Sequence, residues 1–154
     1  MATGWIIASA PDESSAIDQF YDGDEFSSEI NASSFFSANA GATINTMRQE
    51  EGTLQTRFDD REVVLRAATQ TVVIAADSNV GNGWIIASAP DEGSAVDQYF
   101  DGEGFTADID SSEVLSKAEG FTVEQARQEE GTAQNRFDDV DIRLLPVTGT
   151  VALV

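Results

Sequence analysis

Gly-Trp-Ile-Ile-Ala-Ser-Ala-Pro-Asp-Glu at residues 4–13 recurs letter for letter at 83–92. No other feature limits the fold as much. Shifted by 79 positions, the sequence matches itself without a gap, 4–75 onto 83–154, and about half of the positions are identical. The identities are clustered. Arg-Gln-Glu-Glu-Gly-Thr (48–53 and 127–132) and Arg-Phe-Asp-Asp (57–60 and 136–139) are also kept whole. The segment 31–47 keeps only Ser33, Ser37, Gly41 and Thr43. Unconstrained drift would scatter the differences, so the kept blocks read as packing and turn elements that both copies need.

The chain therefore reads as an internal tandem duplication with pseudo-twofold symmetry: repeat unit 1 at 4–76, a linker at 77–82 and repeat unit 2 at 83–154. A unit of this size lies near the lower limit for an independent core. Two small domains, or one pseudo-symmetric domain whose halves bury each other, both satisfy the pattern. The polar, turn-forming linker Asp77-Ser78-Asn79-Val80-Gly81-Asn82 permits either. With no cysteine in the chain, disulfide staples are excluded.

The recurrence also bears on targeting. Near an N-terminus, Ile-Ile-Ala-Ser-Ala-Pro has the look of a signal-peptide end, but a cleavable signal has no reason to recur in mid-chain. No Lys or Arg precedes Arg48, and the apolar stretch falls below the usual core of about 7–15 residues. Both copies read instead as a β-strand entered through Gly4 or Gly83 and stopped by Pro11 or Pro90, because proline cannot donate to a ladder. The longest apolar run, Val-Val-Ile-Ala-Ala at 72–76, is far short of the roughly 20 residues that span a bilayer. The expected location is the cytoplasm, or a virion assembled there.

Further strands are expected around Phe26–Ile30 and Phe105–Ile109. At the end of each unit, Val63–Arg66 and Thr71–Ile74, with Asp141–Leu144 and Thr150–Leu153, read as hairpins turning at 67–70 and 146–149. Thr122 and Gln125 have capping-box spacing. Apolar residues at Val123, Ala126, Ala133 and Phe137 follow at helical intervals, as do Ile44, Met47, Leu54 and Phe58 after Thr43. A helix of two or three turns ending near Gly52 or Gly131 is expected. The next stretch, 53–58, alternates well enough to be strand. The expected fold is mainly β, a β-sandwich or barrel-like fold, with one short helix per repeat.

Net charge is −20, from 28 acidic residues against 8 basic ones, and Lys117 is the only lysine. Both repeats share the excess, so it is not an acidic tail. Such a field repels phosphate backbones, which excludes nucleic acid and anionic membranes as expected partners. Self-repulsion destabilises a compact acidic domain at low salt, but at molar salt the Debye length is about 3 Å and the cost largely vanishes. In composition the chain resembles proteins of salt-in halophiles and their viruses: acid-rich, almost free of lysine, and rich in Ala, Val, Thr and Ser.

The chain has no His and no Cys. Ser-His-Asp and Cys-His nucleophiles and the commonest zinc sites are therefore absent, and no Gly-rich phosphate loop follows a strand. Asp12-Glu13, Glu50-Glu51 and Asp59-Asp60 are acid pairs kept in both copies. Adjacent acids on a strand point to opposite faces, so none is a dyad by itself. Asp18, Asp22 and Asp24 recur as Asp97, Asp101 and Glu103 around a Gly turn. Calcium takes oxygen ligands from such loops, but the spacing is not that of an EF-hand, and a solvated acidic turn is the preferred reading. Arg48, Arg57, Arg127 and Arg136 lie beside acids in the kept blocks, which suggests ion pairs fixing turns or, alternatively, subunit contacts. Trp5 and Trp84 are expected in the core; exposed together, they would anchor an interface. Asn31-Ala32-Ser33 fits the glycosylation pattern, which carries little without a signal sequence.

Residues 136–144, Arg-Phe-Asp-Asp-Val-Asp-Ile-Arg-Leu, resemble the closing strand of jelly-roll carbohydrate-binding modules. Those nine residues come without the earlier strands and aromatic platform of such modules, so no ligand is carried over. The resulting expectation is a non-enzymatic structural or assembly protein, a virion accessory component such as a capsid decoration or turret of a halophilic virus. It self-associates or joins a larger assembly such as a capsid, with no catalytic residues, cofactor or metal. The alternative is a soluble β-sandwich module binding calcium or a glycan.

Overall fold

Trp-Ile-Ile-Ala-Ser does form a strand in each copy, and the rest of each unit is arranged around it. The structure, a computed structural model, describes Met1 to Val154. Its elements are β1 (Ala2–Ala10), β2 (Gln19–Tyr21), β3 (Phe26–Ser27), β4 (Phe36–Ser37), α1 (Ile44–Arg57) and β5 (Glu62–Ile74), then β6 (Gly83–Ala89), β7 (Gln98–Phe100), β8 (Phe105–Thr106), β9 (Leu115–Ser116), α2 (Val123–Arg136) and β10 (Asp141–Leu153). The protein is mainly β, and its pairings are antiparallel. Two compact units are formed: Met1–Gln70 with Val151–Val154, and Thr71–Thr150.

In the first unit β1 is central. It pairs with β5 from Ala2 opposite Gln70 to Ala10 opposite Glu62, and with β2 and β4 on its other edge. Side chains alternate across a strand, so Ile7 and Ile6 serve opposite faces, and both are fully buried. Ile7 packs with Val63 and Leu65 of β5 and with Met47 and Leu54 of α1, two turns apart on one helix face. Ile6 packs with Ala68 and Val151, flanked by Phe20, Ile30 and Phe35. Each such isoleucine contributes roughly 1.5–3 kcal/mol.

The second unit is organised alike around β6, which pairs with β10, β7 and β9. Trp84 and Ile86 meet Ala126 and Ala133 of α2, with Leu115 and Ile142. Ile85 turns the other way, to Val72 and Val147. The glycine ahead of each tryptophan has a steric cause. A Cβ at Gly4 would lie 2.1 Å from the Phe36 carbonyl oxygen, and one at Gly83 would lie 2.5 Å from that of Leu115. Within a unit the strands follow one open order, β3-β2-β1-β5 or β8-β7-β6-β10, so no closed barrel forms; a helix covers one face.

The expected terminal hairpins are not formed. β5 runs unbroken through 67–70 and β10 through 146–149. Ala67 and Ala68 are held opposite Trp5 and Gly4, and Ala68 is fully buried. Pro146 sits in β10 opposite Trp84, and its carbonyl accepts from the Ala75 N–H at 2.9 Å. Gly149 lies beyond the reach of β6, and the Asn82 side-chain amide takes the place of a strand partner. It accepts from the Gly149 N–H and donates to the Gly149 carbonyl, both at 2.8 Å.

The helices are longer than expected. Both have 14 residues, continue through Gly52 or Gly131 and absorb the stretch read as a candidate strand. An interior glycine costs about 1 kcal/mol against alanine. A capping box at each start, Thr43 with Thr46 and Thr122 with Gln125, and one buried face outweigh it. The strands expected over 26–30 and 105–109 are two residues long and pass into 3-10 turns at Ile30–Ala32 and Ile109–Ser111.

Candidate functional site

Asp22, Gln55 and Arg57, with their counterparts Asp101, Gln134 and Arg136, bond to the backbone of their own unit, while the repeated acids Glu13, Glu50, Asp59 and Asp60 are exposed. Asp22 closes the first acidic turn, its Oδ1 accepting from the N–H groups of Asp24 (3.0 Å) and Glu25 (2.9 Å). Gly23 follows it in the left-handed region at φ 104°. Asp101 does the same for Glu103 and Gly104, with Gly102 at φ 106°. Asp18 leaves the turn to pair with Arg61, whose Nε donates to the Ser9 hydroxyl at 2.8 Å. The sequence grouped Asp18, Asp22 and Asp24, and likewise Asp97, Asp101 and Glu103. The fold gathers no three carboxylates closely enough to hold a metal ion.

The repeated arginines divide into two kinds. Arg48 pairs with Glu51 and Arg127 with Glu130, each at 3.0 Å along one helix. Arg57 and Arg136 turn away from the neighbouring Asp59-Asp60 and Asp138-Asp139. Arg57 donates to the Asp24 carbonyl at 2.8 Å and Arg136 to that of Glu103 at 2.9 Å. Each guanidinium also lies 4.8 Å from the centre of the following phenylalanine ring. Those rings complete the aromatic triads Tyr21-Phe26-Phe58 and Phe100-Phe105-Phe137. The arginines thereby tie an acidic turn to a helix end.

Two kinds of residue gain weight only in the structure. Gln55 donates to the carbonyls of Phe58 (3.3 Å) and Arg61 (2.7 Å) and accepts from the Val63 N–H (2.9 Å). Gln134 repeats this with Phe137, Val140 and Ile142. Both glutamines were legible as repeated positions, but nothing in their spacing suggested a role. Lys117 donates to the carbonyls of Ser78 and, at 2.7 Å, Gly81, and lies 5.4 Å from the centre of the Trp84 ring. It thus holds the inter-repeat segment over Trp84, which is buried with no partner for its Nε1. Repeat 1 has Ala38 at this position, and Trp5 is more exposed than Trp84.

The carboxyls of Asp12 and Glu113 depart from ordinary titration. Asp12 is exposed, and its carboxyl is held low by the hydroxyls of Ser14 and Ser15 and the Ser14 N–H. Glu113 is an exposed residue, yet the protein packed around its carboxyl raises it, and the charges of Glu129 and Asp101 raise it further. Repeat 1 has Ser34 there. No helix is long and apolar enough to cross a membrane. No family model, curated protein or solved structure matches the chain.

Proposed function

We propose that this chain is a non-enzymatic structural protein that assembles with itself or onto a larger particle, as an accessory component of a virus particle, a capsid decoration or turret, in a salt-rich host. The observation that carries this reading is the use made of the repeated polar side chains. Gln55 and Gln134, Arg57 and Arg136, and Asp22 and Asp101 bond to the backbone of their own unit, twice over in the same manner. Blocks kept for a ligand would leave some of that chemistry facing a cleft.

The two halves are further proposed to descend from one duplicated ancestor and to be related by pseudo-twofold symmetry. Their sequence identity and the common order of their elements support this. A duplicated chain offers two similar surfaces, which suits a symmetric assembly. The charge of −20 supports the saline setting, because only concentrated salt screens it well.

The test is light scattering with circular dichroism on the purified chain from low salt to molar KCl, with and without calcium. A folded oligomer that strengthens with salt and ignores calcium is expected. A monomer that folds in low salt on adding calcium would overturn the proposal in favour of a calcium-binding module.

A further inference from the structure

The two repeats differ most in charge along one segment. Residues 30–47 are the longest uncharged run in the chain. The matching 109–126 carry Asp110, Glu113, Lys117, Glu119 and Glu124. In the first unit this run forms β4, the 3-10 turn Ala38–Ala40 and the start of α1. Its exposed residues include Ala38, Asn39, Gly41, Asn45 and Ile44, which is 47% exposed. β4 joins it to the uncharged strand β1, with Phe36 opposite Trp5. Because Ala38 stands where repeat 2 has Lys117, no side chain there straps down the tryptophan.

The rest of the chain bears the whole of the net charge of −20, so two copies repel wherever acids face acids. Like charges set against each other across an interface cost several kcal/mol, and a neutral face meeting its own copy avoids that cost. Partly exposed aromatics within it supply the anchors that interfaces favour. A cationic partner would favour the acidic turns instead.

We infer that the first unit docks a second copy of this chain, like face to like face, through Trp5, Phe36, Ala38, Asn39, Ala40 and Ile44. The result is a two-fold dimer joined through the first unit of each copy. This rests on the reading of the chain as a self-assembling protein and names the surface it uses.

The decisive experiment compares three full-length chains by light scattering over a concentration series, at low salt and in molar KCl. The first is the unaltered protein. The second is Ser34→Glu/Ala40→Glu/Asn45→Glu, which gives repeat 1 the acids that repeat 2 carries at the same places. The third is the mirror change, Glu113→Ser/Glu119→Ala/Glu124→Asn. Each substitution installs the residue of the other repeat, and circular dichroism checks the fold. The unaltered chain is expected to dimerise. The acidic variant should need more than about tenfold higher concentration to do so, and the mirror variant should dimerise or assemble further. Should the acidic variant fail to fold, Ala38→Lys, copied from Lys117, is the second probe and should also weaken the dimer. An acidic variant that dimerises as well as the unaltered chain, or a mirror variant reduced to monomer, overturns the assigned face while leaving self-assembly standing. An unaltered chain that is monomeric at every salt overturns both.

Discussion

The Val151 N–H donates to the Asn31 side-chain oxygen at 2.8 Å, across 120 residues of sequence. The Val72 N–H donates to the Asp110 carboxylate at the same distance. These are matching positions of the two repeats, used in exchange. Val151 ends repeat 2, yet it is buried in the first unit against Ile6 and Ala68; Val72 ends repeat 1, yet it is buried in the second against Ile85 and Val147. Each unit is closed by the last strand segment of the other half of the sequence.

Asn31→Ala should therefore destabilise the first unit, although the strand it holds belongs to repeat 2. Leaving the Val151 N–H unpaired costs about 1–3 kcal/mol. Hydrogen exchange should show lost protection at Val151 and along the β1–β5 pairing, with β6 protected as before. Uniform loss over both units would show that the bond does not act locally.

Gln55 and Gln134 each join a helix to the strand that follows it. Gln55→Leu leaves the Arg61 carbonyl and the Val63 N–H without this side chain, while the Phe58 carbonyl keeps the Arg61 N–H, and should cost about 1–3 kcal/mol or more. Gln55→Glu separates donor from acceptor. An ionised carboxylate still accepts from Val63 but repels the carbonyls of Phe58 and Arg61, whereas the protonated acid can donate again. Urea titrations at neutral pH and near pH 4 should show the Glu variant closer to the unaltered chain at the lower pH. A constant deficit would assign the loss to packing.

What the sequence made legible was whatever two aligned copies and short-range chemistry can reveal: the opening strand and its stop at Pro11 or Pro90, the capping box at Thr122, the tryptophans as packing residues and the acidic Gly turns. The misreadings at 146–149 and at the two helix glycines share one cause. Pro146, Gly149, Gly52 and Gly131 are local breakers, and long-range partners override each of them. Pro146 is held in β10 opposite Trp84 with its carbonyl bonded to the Ala75 N–H, and Asn82 satisfies both backbone groups of Gly149. The helices run through their glycines because Met47 and Leu54, or Ala126 and Ala133, bury one face. The roles of Gln55, Lys117 and Asn31 were not legible because each acts on backbone groups that only the fold brings near.

Glu113 gives a pH test with a definite sign. Its carboxyl is raised in the folded protein, by the protein around it and then by Glu129 and Asp101. The folded state therefore holds this proton more tightly than the unfolded chain does, near the ordinary value of about 4.3. The favourable contribution is complete below that value and is lost as pH rises through the folded-state value. Glu113→Ser, the residue of repeat 1, removes a charge that the folded protein carries at a cost at neutral pH. The variant should melt higher than the unaltered chain at pH 7, and the difference should shrink as pH falls into the carboxylate range. A difference independent of pH would mean that packing, not titration, sets it.

The glycines separate steric need from inheritance. A Cβ at Gly4 would lie 2.1 Å from the Phe36 carbonyl oxygen, so Gly4→Ala must push β4 away from β1 and should destabilise the first unit strongly. Nothing lies within 4 Å of a Cβ at Gly52 or Gly131, and both sit inside helices without a positive φ. Gly52→Ala and Gly131→Ala should each stabilise the protein by about 0.5–1 kcal/mol, because alanine loses less backbone freedom on entering a helix. Thermal melts of the three single variants decide the matter, with Gly4→Ala below the unaltered chain and the helix variants above it. If the helix variants also fell, these glycines would be needed for a contact with another molecule, and the exposed helix faces would become the surface to probe next.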